Sequence, residues 1–220
     1  MIIMKFIRKL RRIAGIICRN FKFTFFEEVR RELLSPKLPK TQNSKIYIHL
    51  GCGPINAEGF INVDALPYSH IHYIQQIDDL NIFPDKYADL IYASHVLEHL
   101  SYNNIPRILK EWHRVLKKGG ILRISVPDFD KLIGIYSSEQ RDIKTIIGPL
   151  MGGQDYEFNY HKTVFNEKYL KELLLLTGFK EVKQWDPKKV EMHPFEDWAS
   201  RPIKVNAREY PISLNIEAVK

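Results

Sequence analysis

The chain has 220 residues, 45% hydrophobic and 27% charged, enough to bury one substantial core; this excludes a disordered protein and predicts one α/β domain with appendages. Two cysteines, Cys18 and Cys52, are too few for a disulfide framework or a cysteine-based zinc site, and fit a reducing, cytoplasmic setting. The formal charge of +7 is fully accounted for by Lys5, Arg8, Lys9, Arg11, Arg12, Arg19 and Lys22, in a stretch without acids, so residues 23–220 are net neutral and the basic balance argues for no nucleic-acid partner.

Within residues 2–17 the apolar Ile3, Phe6, Ile7, Leu10, Ile13, Ala14 and Ile17 recur at spacings of three and four, with basic residues mostly opposite, which predicts a basic amphipathic helix. Charges interrupt every apolar run long enough to span a membrane, and no unbroken secretory h-region exists. Residues 1–22 can pack on their own domain or a second subunit, dock on the inner face of an anionic membrane, or meet an acidic protein partner. A second helical piece near Phe25–Leu34 ends at Ser35-Pro36, and residues 36–44 form a linker. The expected organisation is therefore helix and linker over 1–44 and a core domain over 45–220.

Lys45–Leu50 is the first expected strand and Phe60–Asp64 the second. The roughly ten residues between them are too few for a full crossover helix, so the first helix is cut to a turn or loop. Gly51 and Gly53 flank Cys52 in that turn, where missing Cβ atoms let backbone amides approach a ligand, and Asp64 ends the next strand as an acceptor for ribose hydroxyls. Ile71–Gln76 is a short third strand and Ala88–Ser94 a buried fourth, followed by a short helix or loop over His95–Leu100. Ile105, Ile108, Leu109, Trp112, Val115 and Leu116 define the clearest helix, with Asn103 or Asn104 at its start and Gly119 at its end. Ile121–Val126 is the fifth strand, Phe129–Tyr136 a helix, and Ser137–Lys162 an irregular insertion. Glu167–Thr177 is amphipathic, and Phe179–Trp185 and Pro211–Val219 alternate as antiparallel edge strands separated by a loop. This order predicts a doubly wound, mostly parallel, Rossmann-like seven-stranded sheet with an antiparallel C-terminal end.

Ligands of such sheets bind beyond the carboxyl ends of the strands, where Asp64, Asp79, Ser94, His95, Glu98, His99 and Asp128 collect. His95-Val96-Leu97-Glu98-His99 also matches H-x-x-E-H, a zinc-peptidase pattern, but no third ligand follows at a recognisable spacing, and no metal is expected.

Taken together, HLGCG (His49–Gly53), INVD (Ile61–Asp64), the run Ile77–Leu100, the run Arg107–Phe129 and HKTVFNEKYLKELLLLTGFKEV (His161–Val182) resemble class I S-adenosylmethionine-dependent methyltransferases over about residues 45–219. Gly152-Gly153-Gln154, His161-Lys162 and the closing SLNIEAVK are similar to small methyltransferases found among bacterial surface-polysaccharide genes. The resemblance implies S-adenosylmethionine as cofactor and S-adenosylhomocysteine as product, with O-methylation of a small-molecule or glycan-type acceptor. It puts Gly51 and Gly53 at the methionine part, Asp64 at the ribose, Asp79 at the adenine amino group with Asp78 as its rival, the Leu80 amide at the ring, and Ser94 and His95 near the sulfonium. A hydroxyl acceptor needs a base, for which His95, then His161 and His99, are candidates. Asp128, Gln154 and Lys162 are the acceptor-side candidates, and residues 137–163 a lid. The usual third glycine is missing, and Asp64 follows Gly53 by only 11 residues, which also disfavours a NAD-linked dehydrogenase. The competing functions are a cofactor-binding scaffold without turnover and a zinc hydrolase built on His95, Glu98 and His99.

Overall fold

Short runs of β-branched and aromatic residues bounded by turn formers become strands in the computed structural model, which describes residues 36–39 and 44–220. They are β1 (Tyr47–Leu50), β2 (Phe60–Asp64), β3 (Tyr73–Ile74), β4 (Ala88–Ser94), β5 (Leu116–Pro127), β6 (Lys180–Gln184), β7 (Pro202–Val205), β8 (Arg208–Pro211) and β9 (Ser213–Val219). The helices are α1 (Ile105–Val115), α2 (Phe129–Ser138), α3 (Ile147–Met151) and α4 (Glu167–Leu176). Both helical pieces expected over residues 2–34 lie outside the described residues.

Seven strands form one sheet in the order β3-β2-β1-β4-β5-β9-β6. The pairs from β3 through β5 are parallel, and β9 runs antiparallel to both its neighbours. The expected doubly wound sheet with an antiparallel end is therefore present. The residues between β1 and β2 form turns without a helix, as the short spacing requires.

The two sheet faces are covered differently. On one, Ile108, Leu109 and Trp112 of α1 and Leu170 and Leu174 of α4 bury themselves against Ile48, Leu50, Ile91 and Ile124. Trp112 keeps its one polar atom satisfied by donating its indole N–H to the Ile77 carbonyl at 2.8 Å. On the other face the irregular segment after β6 does the covering, with Trp185 and Ala199 packed on Phe60, Leu90 and Tyr92. His49 is wholly buried there, stacked on Phe195 at 5.4 Å, and burial pushes its imidazole down to about 3.

Four expectations need correction. The helix expected to end at Gly119, α1, ends at Val115, and Gly119 (φ +75°) instead bends the start of β5, its N–H donating to the Lys220 carbonyl. The last two expected strands do pair antiparallel at one end of the sheet, but β9 lies between β5 and β6, so of the two only β6 is an edge strand. The loop expected before the last strand contains the β7–β8 hairpin, whose turn uses Asn206 and Ala207 at φ +47° and +67°. That turn lacks the glycine that signals a two-residue hairpin in a sequence. The insertion expected as irregular over 137–162 contains α3 and a 3₁₀ turn at Ile143–Thr145.

Candidate active site

The site begins where β1 stops. Gly51 and Gly53 take left-handed φ values of +59° and +53° to reverse the chain, and the Gly51 N–H donates to the Val63 carbonyl at 2.8 Å. A Cβ on Gly51 would stand 2.4 Å from Val96 Cγ2, whereas one on Gly53 would meet nothing within 4 Å. Both positions therefore need glycine for conformation, and only Gly51 needs it for space. Gly51→Ala is expected to cost about 1 kcal/mol more than Gly53→Ala in chemical denaturation, and equal costs would show that Val96 yields freely.

Asp64, at the end of β2, is only 8% exposed and ties this turn together. Its Oδ2 accepts from the Gly53 N–H at 2.8 Å and its Oδ1 from the Leu66 N–H at 2.7 Å. Burial raises its carboxyl above the usual range, and these amides partly oppose that. A carboxylate has room for further donors on both oxygens.

β4 ends at Ser94, and His95 follows at φ +52° with its N–H donating to Ser125 O. His95 Nε2 lies 2.8 Å from Ser213 Oγ, and Ser213 donates its own hydroxyl hydrogen to Trp198 O. Nε2 is thereby the donor, and the free lone pair sits on Nδ1, which is 3.4 Å from Glu98 Oε1. Residues 97–99 form a 3₁₀ turn rather than an α-helix, so His95 and His99 do not share a helical face as the zinc-peptidase pattern requires. Glu98 is 1% exposed, and neither of its carboxylate oxygens has a hydrogen-bond partner. His161 Nε2 lies 4.0 Å from Glu98 Oε1, and the His99 and His161 rings meet edge to face at 4.7 Å. Burial pushes the Glu98 carboxyl up to about 8, the His95 imidazole down to about 3, the His99 imidazole down to about 4, and His161 below its ordinary value.

A cavity of about 360 Å³ joins these parts. Gly51, Gly53, Asp64 and Asp78 line one side, His95, His99 and Asn104 another, and Tyr156, Phe158 and Lys162 reach in from the insertion. Its size suits one cofactor-scale ligand.

Of the residues singled out from sequence, the fold thus brings together Gly51, Gly53, Asp64, His95, His99 and Lys162, with His161 immediately behind. Others stand apart. Asp79 binds Asn81 through both carboxylate oxygens at 3.1 Å, while its rival Asp78 lines the cavity. The Leu80 N–H is already given to Glu111 Oε1 at 3.1 Å, which leaves it no hydrogen for an adenine ring. Ser94 ends β4 but is not in the cavity wall. Asp128 caps α2 by accepting from the Asp130 N–H, and borders a different hollow with Trp185 and Asn215. Gln154 is exposed, with its side chain 3.4 Å from Met151 O. From sequence, Tyr156, Phe158 and Asn104 have no site role, Asn104 reading only as a helix start; the aromatic pair inside the glycine-rich insertion is the available signal for the first two.

Residues 62–124, from β2 into β5, match the family model described as a methyltransferase domain. No protein among curated sequences matches the chain. Among solved structures the chain is similar to a SAM-dependent methyltransferase from Archaeoglobus fulgidus, at 20% identity and a TM-score of 0.51, covering 91% of this chain and all of that one. It is also similar to one from Methanosarcina mazei, at 16% identity and a TM-score of 0.52, covering 81% of this chain and 93% of that one. The chain shares the fold of these two S-adenosylmethionine-dependent methyltransferases, and the segment that carries the ends of β2 and β4 to the cavity matches a methyltransferase domain.

Proposed function

We propose that this chain methylates an oxygen of a small-molecule or glycan-type acceptor, of the kind met in surface-polysaccharide biosynthesis. The observation that carries the cofactor half is the meeting of the Gly51–Gly53 turn and the Asp64 carboxylate at one end of a cavity whose other end holds His95 and His99. The cofactor fits the residues present: Asp64 keeps acceptor capacity for ribose hydroxyls after serving two amides, and no Cβ crowds the turn at Gly53. Asp78, by its place in the wall, is the better candidate for the adenine amino group. Bound there, S-adenosylmethionine supplies an already activated methyl group, so the chain's task is alignment.

The acceptor side is read from Tyr156, Phe158 and Lys162. Two aromatic rings and an ammonium form an amphipathic wall of the sort that suits a polar ring compound. Their insertion then acts as the lid over the acceptor. His95 is the base candidate because it lines the cavity and its Nδ1, the nitrogen not held by Ser213, keeps its lone pair. Its depressed basicity favours the second reading, a cofactor-binding protein without turnover.

The test has two parts. S-adenosylhomocysteine is expected to raise the melting temperature, and no rise at millimolar ligand would refute the cofactor half. Labelled methyl transfer to glycan acceptors, with an O-methyl signal in the product spectrum, separates the enzyme from the scaffold.

A further inference from the structure

We propose that Glu98, His99 and His161 form a binding site for a divalent first-row transition-metal ion on the acceptor side of the cavity. Where the ion binds follows from these side chains; what it does there rests on the methyltransferase reading.

One ligand atom from each of the three lies within 4.8 Å of the other two. The decisive member is Glu98. It is buried to 1% exposure, and both its oxygens lack a hydrogen-bond partner. A buried carboxylate left without donors is costly, and native folds rarely retain one unless a proton or a cation answers it. The groups that surround it here are imidazoles: His161 Nε2 at 4.0 Å and His95 Nδ1 at 3.4 Å, both too long for a good hydrogen bond. His95 is anchored to Ser213 through its other nitrogen, whereas His99 and His161 converge on the carboxylate. Two imidazoles and a carboxylate are a ligand set for zinc, iron, cobalt or manganese, and too rich in nitrogen for calcium or magnesium. At ordinary metal–ligand distances of about 2.1 Å the three donors close up further, so binding draws the side chains together.

The backbone around the trio is built to hold it. Lys162 N and Thr163 N both donate to the Glu98 carbonyl, at 2.7 and 3.1 Å, and Thr163 Oγ1 donates to Leu100 O at 2.6 Å. The segment bearing His161 is thereby fastened to the turn bearing Glu98 and His99. On its other side the His161 N–H donates to Met151 O. Gly152 at φ +80° makes this passage possible, since a Cβ there would stand 2.5 Å from Asn159 O and 3.0 Å from His161 Cδ2.

Three protein ligands leave coordination positions open, and His99 lines the cavity, so those positions face the acceptor. An acceptor hydroxyl bound to the ion loses its proton to water more readily. Its oxygen then forms the new bond to the methyl carbon while the carbon–sulfur bond breaks, the electron pair staying on the departing thioether.

Cobalt(II) added to the full chain after chelator treatment tests the site, read by visible absorption and calorimetry. One equivalent is expected to bind, and His99→Ala and His161→Ala are each expected to weaken binding at least about tenfold. His161→Gln, with circular dichroism, guards against misfolding of the alanine variant. Wild-type protein that shows neither visible band nor heat at millimolar cobalt(II) overturns the proposal, as does unchanged affinity in the folded histidine variants. Asp64→Ala is expected to keep cobalt(II) while losing S-adenosylhomocysteine. Cobalt(II) binding by a wild type that ignores S-adenosylhomocysteine would leave the site standing and remove the methyltransferase reading.

Discussion

Asp64→Ala is expected to abolish the rise in melting temperature that S-adenosylhomocysteine gives the parent chain. Hydrogen bonds to a charged group contribute about 1.5–3 kcal/mol each, so losing two ribose contacts lowers affinity by roughly two to four orders of magnitude. A ligand present at about 100 times its Kd stabilises by about 2.7 kcal/mol, and a drop of that size erases the effect. Asp64 also holds the Gly53 and Leu66 amides, so alanine loosens the glycine turn proposed to receive the methionine part. Asp64→Asn separates the two roles, since it keeps the shape but turns a donor toward one of the amides. Asp128→Ala is the control: Asp128 caps α2 beside another hollow, and its loss should leave the shift intact. An undiminished shift in Asp64→Ala would refute the placement of the ribose.

Glu217→Ala is expected to lower stability by about 3–5 kcal/mol, because it leaves Arg123 charged and buried. The two residues face each other across β5 and β9, at 5% and 7% exposure. Arg123 donates to Glu217 Oε2 from Nη2 at 2.8 Å and from Nε at 3.1 Å, and its Cζ lies 5.2 Å from the centroid of the Trp185 ring. Loss of the acid removes the charge partner, while the Glu191 carbonyl and the Trp185 ring only partly compensate. The double variant Arg123→Met/Glu217→Leu is expected to recover most of the loss, since a buried ion pair is often exchangeable for apolar side chains. Urea denaturation reads both; a Glu217→Ala variant within about 1 kcal/mol of the parent would show that water reaches the guanidinium.

What the sequence discloses depends on how far apart the cooperating residues lie. β4, nearly all apolar and bounded by Tyr87 and His95, is legible because burial on both faces leaves no alternation to misread. Gly51, Gly53 and Asp64 are legible because adjacent parallel strands bring their ends together by topology alone. Which of Asp78 and Asp79 lines the cavity is not, because it turns on which of two neighbouring carboxylates folds back onto Asn81. Arg123 and Glu217 each look like a solvent-facing position within an alternating strand, and only the insertion of β9 beside β5 shows that they are partners. His161 is remote from Glu98 in the chain, and the backbone bonds that join them leave no spacing pattern.

That insertion of β9 also bears on how the sheet is assembled. β6 leaves the ribosome before β9, yet its place in the sheet is on the far side of it. Until β9 has slotted against β5, β6 has no strand to pair with, and its amides must wait exposed while β1, β4 and β5 can already join. Pulsed hydrogen exchange during refolding is expected to protect the β6 amides after those of β4, and simultaneous protection would show that β9 docks as early as its neighbours. The pairing of β9 with β5, which joins Glu217 to Arg123, must then precede the docking of β6, so the ion pair closes on a sheet that still lacks this edge strand.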